Sequence, residues 1–375
     1  MMKVNNSKQL TRPTWLQVDL AAIQNNAKAI MKHAGAQKMI AVVKANAYGH
    51  GAVAVTNSLY AIGIRDFAVA TIDEGIELRQ NITQQDINIL LLGVQDVAQV
   101  PVMLQYHLTP AIGDMQWLMK ATQLMAMDDV LNVHLAVDTG MGRMGARNEH
   151  DVQMVKDFID QSSHFALSGV FTHFATADDH NDAYYQQQVQ KFQLWTTHAQ
   201  IPEELCHLAN TGSALWHHNE INTRTIRVGS ALYGFNPGTP HLEMPLQLQP
   251  AMALKTKIGA THQMAVGESI SYGATYTAQQ PQLVATLPIG YADGYLRRLQ
   301  GMKVLVDGHF EKVVGRITMD QILITLKQPY PVGTIVTLMG YDGEQQISVE
   351  DIANYAKTIP HEVLTILTSR LPRIY

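Results

Sequence analysis

Cysteine is nearly absent from this 375-residue chain, which has only Cys206. A single cysteine excludes an intrachain disulfide, and together with 18 methionines it points to a reducing compartment. Charge is also scarce. Charged residues make up 16% of the chain, and 27 Lys+Arg against 32 Asp+Glu leave a formal charge of −5. That balance provides no electrostatic footprint for nucleic acid or an anionic membrane. The longest apolar run, INILLLGV at 87–94, is far too short to span a bilayer. The opening MMKVNNSKQLTRPTW contains no apolar segment of the kind a signal peptide needs, so a cytoplasmic location is expected. What is plentiful is hydrophobic residue, 46% of the chain, which excludes disorder over most of its length. Histidine is plentiful too: 16 residues, more than purely structural use suggests.

The first two thirds alternate between short apolar runs and amphipathic stretches of helical period. The runs are KMIAVVK, DFAVAT, INILLLG, LTPAIG, LNVHLAV, LSGVFTHF, ELCHLAN and TIRVGSA, eight in all. Near-continuous apolar strands separated by helices imply parallel strands buried on both faces. Eight such units in about 230 residues fit a closed (β/α)₈ TIM-like barrel, with an open doubly wound sheet as the alternative. After Gly234 the stretch FNPGTPHLEMPLQLQP reads as a linker. From Ala251 alternating strands dominate, and the Asp307-Gly308 pair marks a hairpin. The expected fold class is therefore an α/β barrel over 1–240 followed by a mostly β C-terminal domain over 241–375. The first ten or so residues are expected to pack on that second domain.

Lys44 ends the first barrel strand and is followed by ANAYGHG, which places it at the mouth where barrel active sites form. It could be a surface lysine, or a desolvated amine able to form a Schiff base. In DTGMGRMG (138–145), Gly140, Gly142 and Gly145 satisfy G-x-G-x-x-G. A dinucleotide fingerprint belongs on the opening strand of its fold, however, and this one follows the fifth. The loop instead offers Arg143 as a bidentate fork for a carboxylate. His173, with Asp178, Asp179 and His180 downstream, lacks a zinc-like spacing, so no metal is expected. Asn210, Thr211, Gly229 and Ser230 follow the seventh and eighth strands, where barrels often hold a phosphate. In the second domain Tyr272 and Tyr291 stand beside glycines, and taken alone they read as packing aromatics.

Taken in order, AVVKANAYGHG, DTGMGRMG, THFATAD, HLANTGSA, RVGSALYG, SYGATYTA, IGYADGY, GRITMDQ and LPRIY resemble the bacterial alanine racemase family, from about Val18 to Tyr375. The resemblance implies pyridoxal 5'-phosphate as cofactor and a homodimer with shared active sites. It also implies interconversion of L- and D-alanine, supplying D-alanine for peptidoglycan. Lys44 would hold the cofactor covalently and act as one base, and Tyr272 of the partner subunit would act as the opposing base. Racemisation removes the Cα proton from one side and returns one to the other, so two bases on opposite faces are the economical solution. An ordinary tyrosine, with pKa about 10, is a poor base at neutral pH, which implies positive charge nearby. Arg143 and the Met319 amide would bind the substrate carboxylate, with Tyr291 and Arg297 at the entrance. Tyr48, Thr211, Gly229 and Ser230 would hold the phosphate. Arg227 would face the pyridine nitrogen with His207 behind it, and His173 would lie against the ring.

The chain departs from the family in places. Many relatives carry a carbamylated lysine where this chain has Ala136, so a small anion such as chloride is expected beside Arg143 instead. Ser369 stands where relatives often place a tyrosine on the phosphate. A broader amino-acid racemase, with serine as the other substrate, is the runner-up. A barrel-type decarboxylase of basic amino acids lacks the SYGATY and ITMDQ pairing. A pyridoxal-phosphate homeostasis protein lacks the second domain altogether.

Overall fold

The computed structural model describes residues 11–222, 224–238 and 242–375. The expectation for the first ten residues lies outside the described residues. The chain divides into two compact units: Leu20–Gln249, and the chain before Leu20 together with Pro250–Tyr375. Strand β1 (Thr14–Val18) opens the described chain and belongs to the second of these.

In the Leu20–Gln249 unit, seven parallel strands follow in chain order. They are β2 (Lys38–Val42), β3 (Asp66–Val69), β4 (Asn88–Leu91), β5 (Thr109–Ile112), β6 (Leu131–Ala136), β7 (Phe165–Phe171) and β8 (Thr225–Val228). β8 pairs beside β2, so the two ends of the sheet, β7 and β8, remain to be joined. The seventh run, ELCHLAN, joins them without forming a strand. Cys206 bridges Val170 in parallel, the His207 amide donates to the Val170 carbonyl (2.9 Å), and the Arg227 amide donates to the Ala209 carbonyl (2.8 Å). Single bonds at alternating residues close the ring but form no ladder, because the segment turns directly into the helix Thr211–Trp216.

Helices cover the strands, as parallel pairing requires. Leu20–Ala34 buries Ala22, Ile23, Ala27 and Ile30, a helical stripe, and packs beside the helices Ala52–Ala61 and Thr211–Trp216. Ile72–Asn81 begins at a capping box in which Thr71 and Glu74 satisfy each other's backbone amides.

The β unit is a ten-stranded, largely antiparallel sheet. The strands Lys303–Val306 and His309–Val314 pair across Asp307 (φ 51°) and Gly308 (φ 73°). Two left-handed residues in a two-residue loop are the twist-matched hairpin turn that an Asp-Gly pair favours. The helix Val349–Ala356, capped by Ser348, and the helix Pro360–Thr365 close the chain. Among the described residues no helix is long and apolar enough to cross a membrane.

Candidate active site

β2 ends at Val42, and Lys44 opens a turn unlike any other in the barrel. Ala45, Asn46, Ala47 and Tyr48 all have φ between 51° and 54°, forming one left-handed turn built entirely from residues with a Cβ. Each such residue costs roughly 1–2 kcal/mol relative to the right-handed form, and strain of this kind collects at functional sites. The surroundings hold the turn in place. Glu74 Oε1 accepts from the Ala45 amide (2.6 Å), Asn46 Oδ1 accepts from the Ala52 amide (2.8 Å), and Gly49 and Gly51 donate back to Ala45 and Asn46.

The turn has two consequences. Lys44 is half-buried, and desolvation, followed by the charge of Arg143, lowers its pKa from the usual lysine value, with Glu74 opposing. Tyr48 is buried, and burial pushes its phenol up to about 12, so it stays neutral and keeps its proton. Its ring lies 4.8 Å from Tyr233, whose hydroxyl donates to the Val42 carbonyl (2.9 Å). His50 stacks on the other part of Tyr233, with centroids 4.5 Å apart.

Tyr48 meets the far side of the ring at Gly229. A Cβ on Gly229 would lie 2.4 Å from the Tyr48 hydroxyl, so only glycine fits. The Gly229 amide donates to Thr211 Oγ1 (3.1 Å), and Ser230 beside it is buried. Asn210 caps the Thr211–Trp216 helix by accepting from the Ser213 amide (3.0 Å). Tyr48, Thr211, Gly229 and Ser230 thus form one cradle of neutral donors. Asn210 supports it from below as a helix cap.

Arg227 is buried, and desolvation, then Arg143, lowers its pKa to about 9, which leaves it charged at neutral pH. It donates to the carbonyls of His207, Thr172 and Leu208 and to His207 Nδ1 (2.9 Å). His173, just past β7, is held neutral: burial, then Arg227, Arg143 and Lys44, lowers its pKa to about 3. Four residues that the sequence placed on four different strand ends, Lys44, Arg143, His173 and Arg227, therefore lie within one electrostatic cluster.

Arg143 itself is exposed at the tip of a loop that leaves and rejoins β6. The Asp138 amide donates to the Ala146 carbonyl (2.8 Å) and the Ala146 amide to the Ala136 carbonyl (2.9 Å). Asp138 Oδ1 accepts from the Gly140 and Gly142 amides, and Gly140, Gly142 and Gly145 all have positive φ. The glycines serve this loop's own geometry rather than a strand-to-helix dinucleotide turn. Ala136 is buried where the loop rejoins the strand.

The remaining candidates lie in the β unit, and all are exposed: Tyr272 at 71%, Met319 at 52% and Tyr291 at 42%. Tyr272 stands in a tight turn in which Ser271, Gly273 and Ala274 have positive φ. The turn is tied down by Ser271 Oγ, which donates to the Arg316 carbonyl (2.9 Å) and accepts from the Arg316 amide (2.8 Å). Met319 and Tyr291 are neighbours, since the Tyr291 and Ala292 amides donate to the Thr318 and Met319 carbonyls. A Cβ on Gly290 would come within 2.4 Å of the Met319 carbonyl group. Arg297 and Ser369 are exposed. Among the described residues there is no group of three or more His, Cys, Asp or Glu able to hold a metal. The Cys206 thiol is pushed up to about 12 by burial, then by Glu203 and Glu204.

Two contributors were missed at the level of sequence. Glu74 braces the left-handed turn, and the T-x-x-E pattern at 71–74 was the readable signal. His134 lies behind His207, with its Nδ1 3.0 Å from His207 Nε2. Its signal was the alternation Asn132, His134 along LNVHLAV, polar on the face that points into the barrel.

The fold is a barrel with a half-buried lysine of lowered pKa at its mouth, followed by a β unit. The chain matches the alanine racemase N-terminal domain over residues 18–237 and the alanine racemase C-terminal domain over 251–375. It is 43% identical to an alanine racemase of Pediococcus pentosaceus over 366 residues, 97% of this chain and 96% of that protein. The crystal structure of an alanine racemase from E. faecalis superposes with a TM-score of 0.91 at 38% identity, covering 98% of this chain and 99% of that one. A histidine racemase from Leuconostoc mesenteroides superposes with a TM-score of 0.92 at 32% identity, covering 97% and 98%. The chain belongs to the alanine racemase family.

Proposed function

We propose that this chain interconverts L- and D-alanine with pyridoxal 5'-phosphate, working in the cytosol as a homodimer that supplies D-alanine for peptidoglycan. The observation that carries the reading is the lysine of lowered pKa braced by a strained turn beside Arg143, His173 and Arg227. The residues fit the cofactor. A cradle that a single Cβ at Gly229 would fill, lined by a neutral Tyr48 and by Thr211, suits a phosphate. The buried Arg227 suits a ring nitrogen that stays unprotonated, because a guanidinium does not readily give up its proton.

When bound, pyridoxal phosphate supplies the electron sink that acidifies the Cα hydrogen of an amino acid. Lys44 would hold it, and the lysine amine would hold or return a proton on one face of the substrate carbon. Its lowered pKa makes the neutral amine easier to reach than that of an ordinary lysine. Tyr272 of a partner subunit serves the opposite face, and its exposure on a locked turn suits a residue that reaches into a neighbour. Arg143 binds the substrate carboxylate from one subunit and the Met319 amide from the other, with Tyr291 at the entrance. His173, held neutral, would lie beside the cofactor without adding charge.

The experiment loads the chain with pyridoxal phosphate and follows the visible absorbance of the lysine-bound cofactor. It then follows loss of optical rotation from L-alanine, L-serine and L-histidine. Lys44→Ala should lose both the absorbance and the activity. Full racemisation by that variant would sink the mechanism, and a preference for serine or histidine would replace the substrate.

A further inference from the structure

Inside the barrel, at the end opposite Lys44, lies a cavity of about 190 Å³. Its lining comes from the starting ends of the strands, among them Lys38, Asp66, Asn88, Asn132 and Thr225, with His134 and His207 at its inner wall. A polar chamber at the floor of a barrel takes no part in chemistry at the mouth. Here, however, two histidines connect its wall to Arg227.

The direction of that connection follows from donor chemistry. Arginine has no acceptor, so where Arg227 lies 2.9 Å from His207 Nδ1, that nitrogen must be the acceptor. A neutral imidazole with a bare Nδ1 carries its proton on Nε2. His207 Nε2 therefore donates across 3.0 Å to His134 Nδ1. His134 in turn must keep Nδ1 bare and its proton on Nε2. Burial and the Arg227 charge disfavour protonation of either ring. The plane of the His207 ring is set by its stack on Phe171 (5.2 Å), and its backbone by the amide bond to Val170. His134 is also fitted closely: a Cβ on Gly169 would lie 2.6 Å from its ring.

We propose that His134 is a positioning residue: by accepting from His207 it fixes the tautomer that lets Arg227 keep its fourth hydrogen bond. Without an acceptor at His134, keeping Nδ1 bare for Arg227 leaves a buried Nε2–H unsatisfied, so the tautomer that serves Arg227 loses one of its two supports. The other tautomer points an N–H at the Arg227 guanidinium, and a buried donor facing a buried donor costs both partners their bond. The consequence for catalysis rests on the reading that Arg227 faces the cofactor nitrogen. The tautomer itself does not.

The test is long-range ¹H–¹⁵N correlation spectroscopy of the full chain labelled on histidine, at pH 7, with and without pyridoxal phosphate. Wild-type His207 and His134 should each show a bare Nδ1 and a protonated Nε2. His134→Phe should turn His207 into a mixture of tautomers. His134→Gln, whose side-chain carbonyl can accept, should restore the single form. Gly169→Ala, which displaces the His134 ring without changing its chemistry, should resemble His134→Phe and decides the point should that variant not fold. In the loaded chain, His134→Phe should raise the dissociation constant of pyridoxal phosphate about tenfold, the worth of one hydrogen bond to a charged group; His134→Gln should leave it unchanged. A wild-type His207 protonated on Nδ1, or one indifferent to both substitutions, overturns the proposal. A chain that takes up no pyridoxal phosphate fails the functional reading instead, and its unloaded spectra still decide this one.

Discussion

Gly229→Ala is the substitution whose cost the geometry fixes most directly. The new Cβ would lie 2.4 Å from the Tyr48 hydroxyl and 3.1 Å from its Cζ, where ordinary contact begins near 3.4 Å. Some group must move by about 1 Å. Tyr48 has little room to give: its backbone sits in the left-handed turn, and its ring packs on a Tyr233 that is bonded to Val42 and covered by His50. Overpacking a rigid core typically costs about 1–3 kcal/mol, and the pinned ring places this case in the upper half. In a Tyr48→Phe background the offending oxygen is gone, and the same methyl should cost about 1 kcal/mol or less. The double-mutant cycle should then show a coupling of about 1–2 kcal/mol. A two-unit chain need not unfold in a single step. Local opening should therefore be read by hydrogen exchange at the amides of β8 and of 44–48. A coupling within about 0.3 kcal/mol of zero would refute the close approach on which the phosphate cradle rests.

Other outcomes follow from the same site. Tyr272→Phe should keep the visible absorbance of the bound cofactor while slowing racemisation by about 10²–10⁴-fold, the usual worth of a general base; equal loss of cofactor would make Tyr272 structural. Mixing Lys44→Ala with Tyr272→Phe subunits should recover about a quarter of wild-type activity. Half of randomly paired dimers are hybrids, and each hybrid holds one site with both bases intact; no recovery would argue that each subunit uses its own tyrosine. His134 and His173 stay neutral in the fold, with pKa values lowered to about 3. Below pH 6.5 the unfolded chain takes protons that the folded chain refuses. Stability is therefore full above that value and falls as pH drops from 6.5 toward 3, by up to about 3 kcal/mol per pH unit for the pair. Urea midpoints at pH 7.5 and 5.5 measure the slope, and a flat profile would contradict the burial. Bromide soaked into crystals should give an anomalous peak beside Arg143, near the buried Ala136; an anion-free apolar gap would sink that idea.

Seven of the eight barrel strands were legible because burial on both faces leaves a continuous apolar signature, as in Phe67–Val69 and Ile89–Leu91. The remaining one, ELCHLAN, seventh in chain order, carries the same signature but no ladder, since hydropathy reports burial and not pairing. The Asp307-Gly308 turn was legible for a different reason: few residue pairs tolerate two positive φ values in succession.

What stayed hidden has a common physical origin. Nothing in Ala45-Asn46-Ala47-Tyr48 asks for a left-handed turn, and apart from Asn46 its residues resist one. The conformation exists because Glu74, Asn46 and two glycines outside the run over-determine it. Local preference can reveal a turn that the backbone wants, but not one imposed on it. Lys44 owes its half-buried position to that imposed turn, and with it the lowered pKa on which the proposed chemistry depends. Substituting glycine at exposed Ala45 would relax part of the strain while removing no buried contact. If the turn is held by its surroundings, Ala45→Gly should leave the reactivity of Lys44 toward pyridoxal phosphate unchanged, whereas Glu74→Gln should alter it. A Lys44 that loses its reactivity on the glycine substitution alone would show that the strain, not its bracing, sets the lysine.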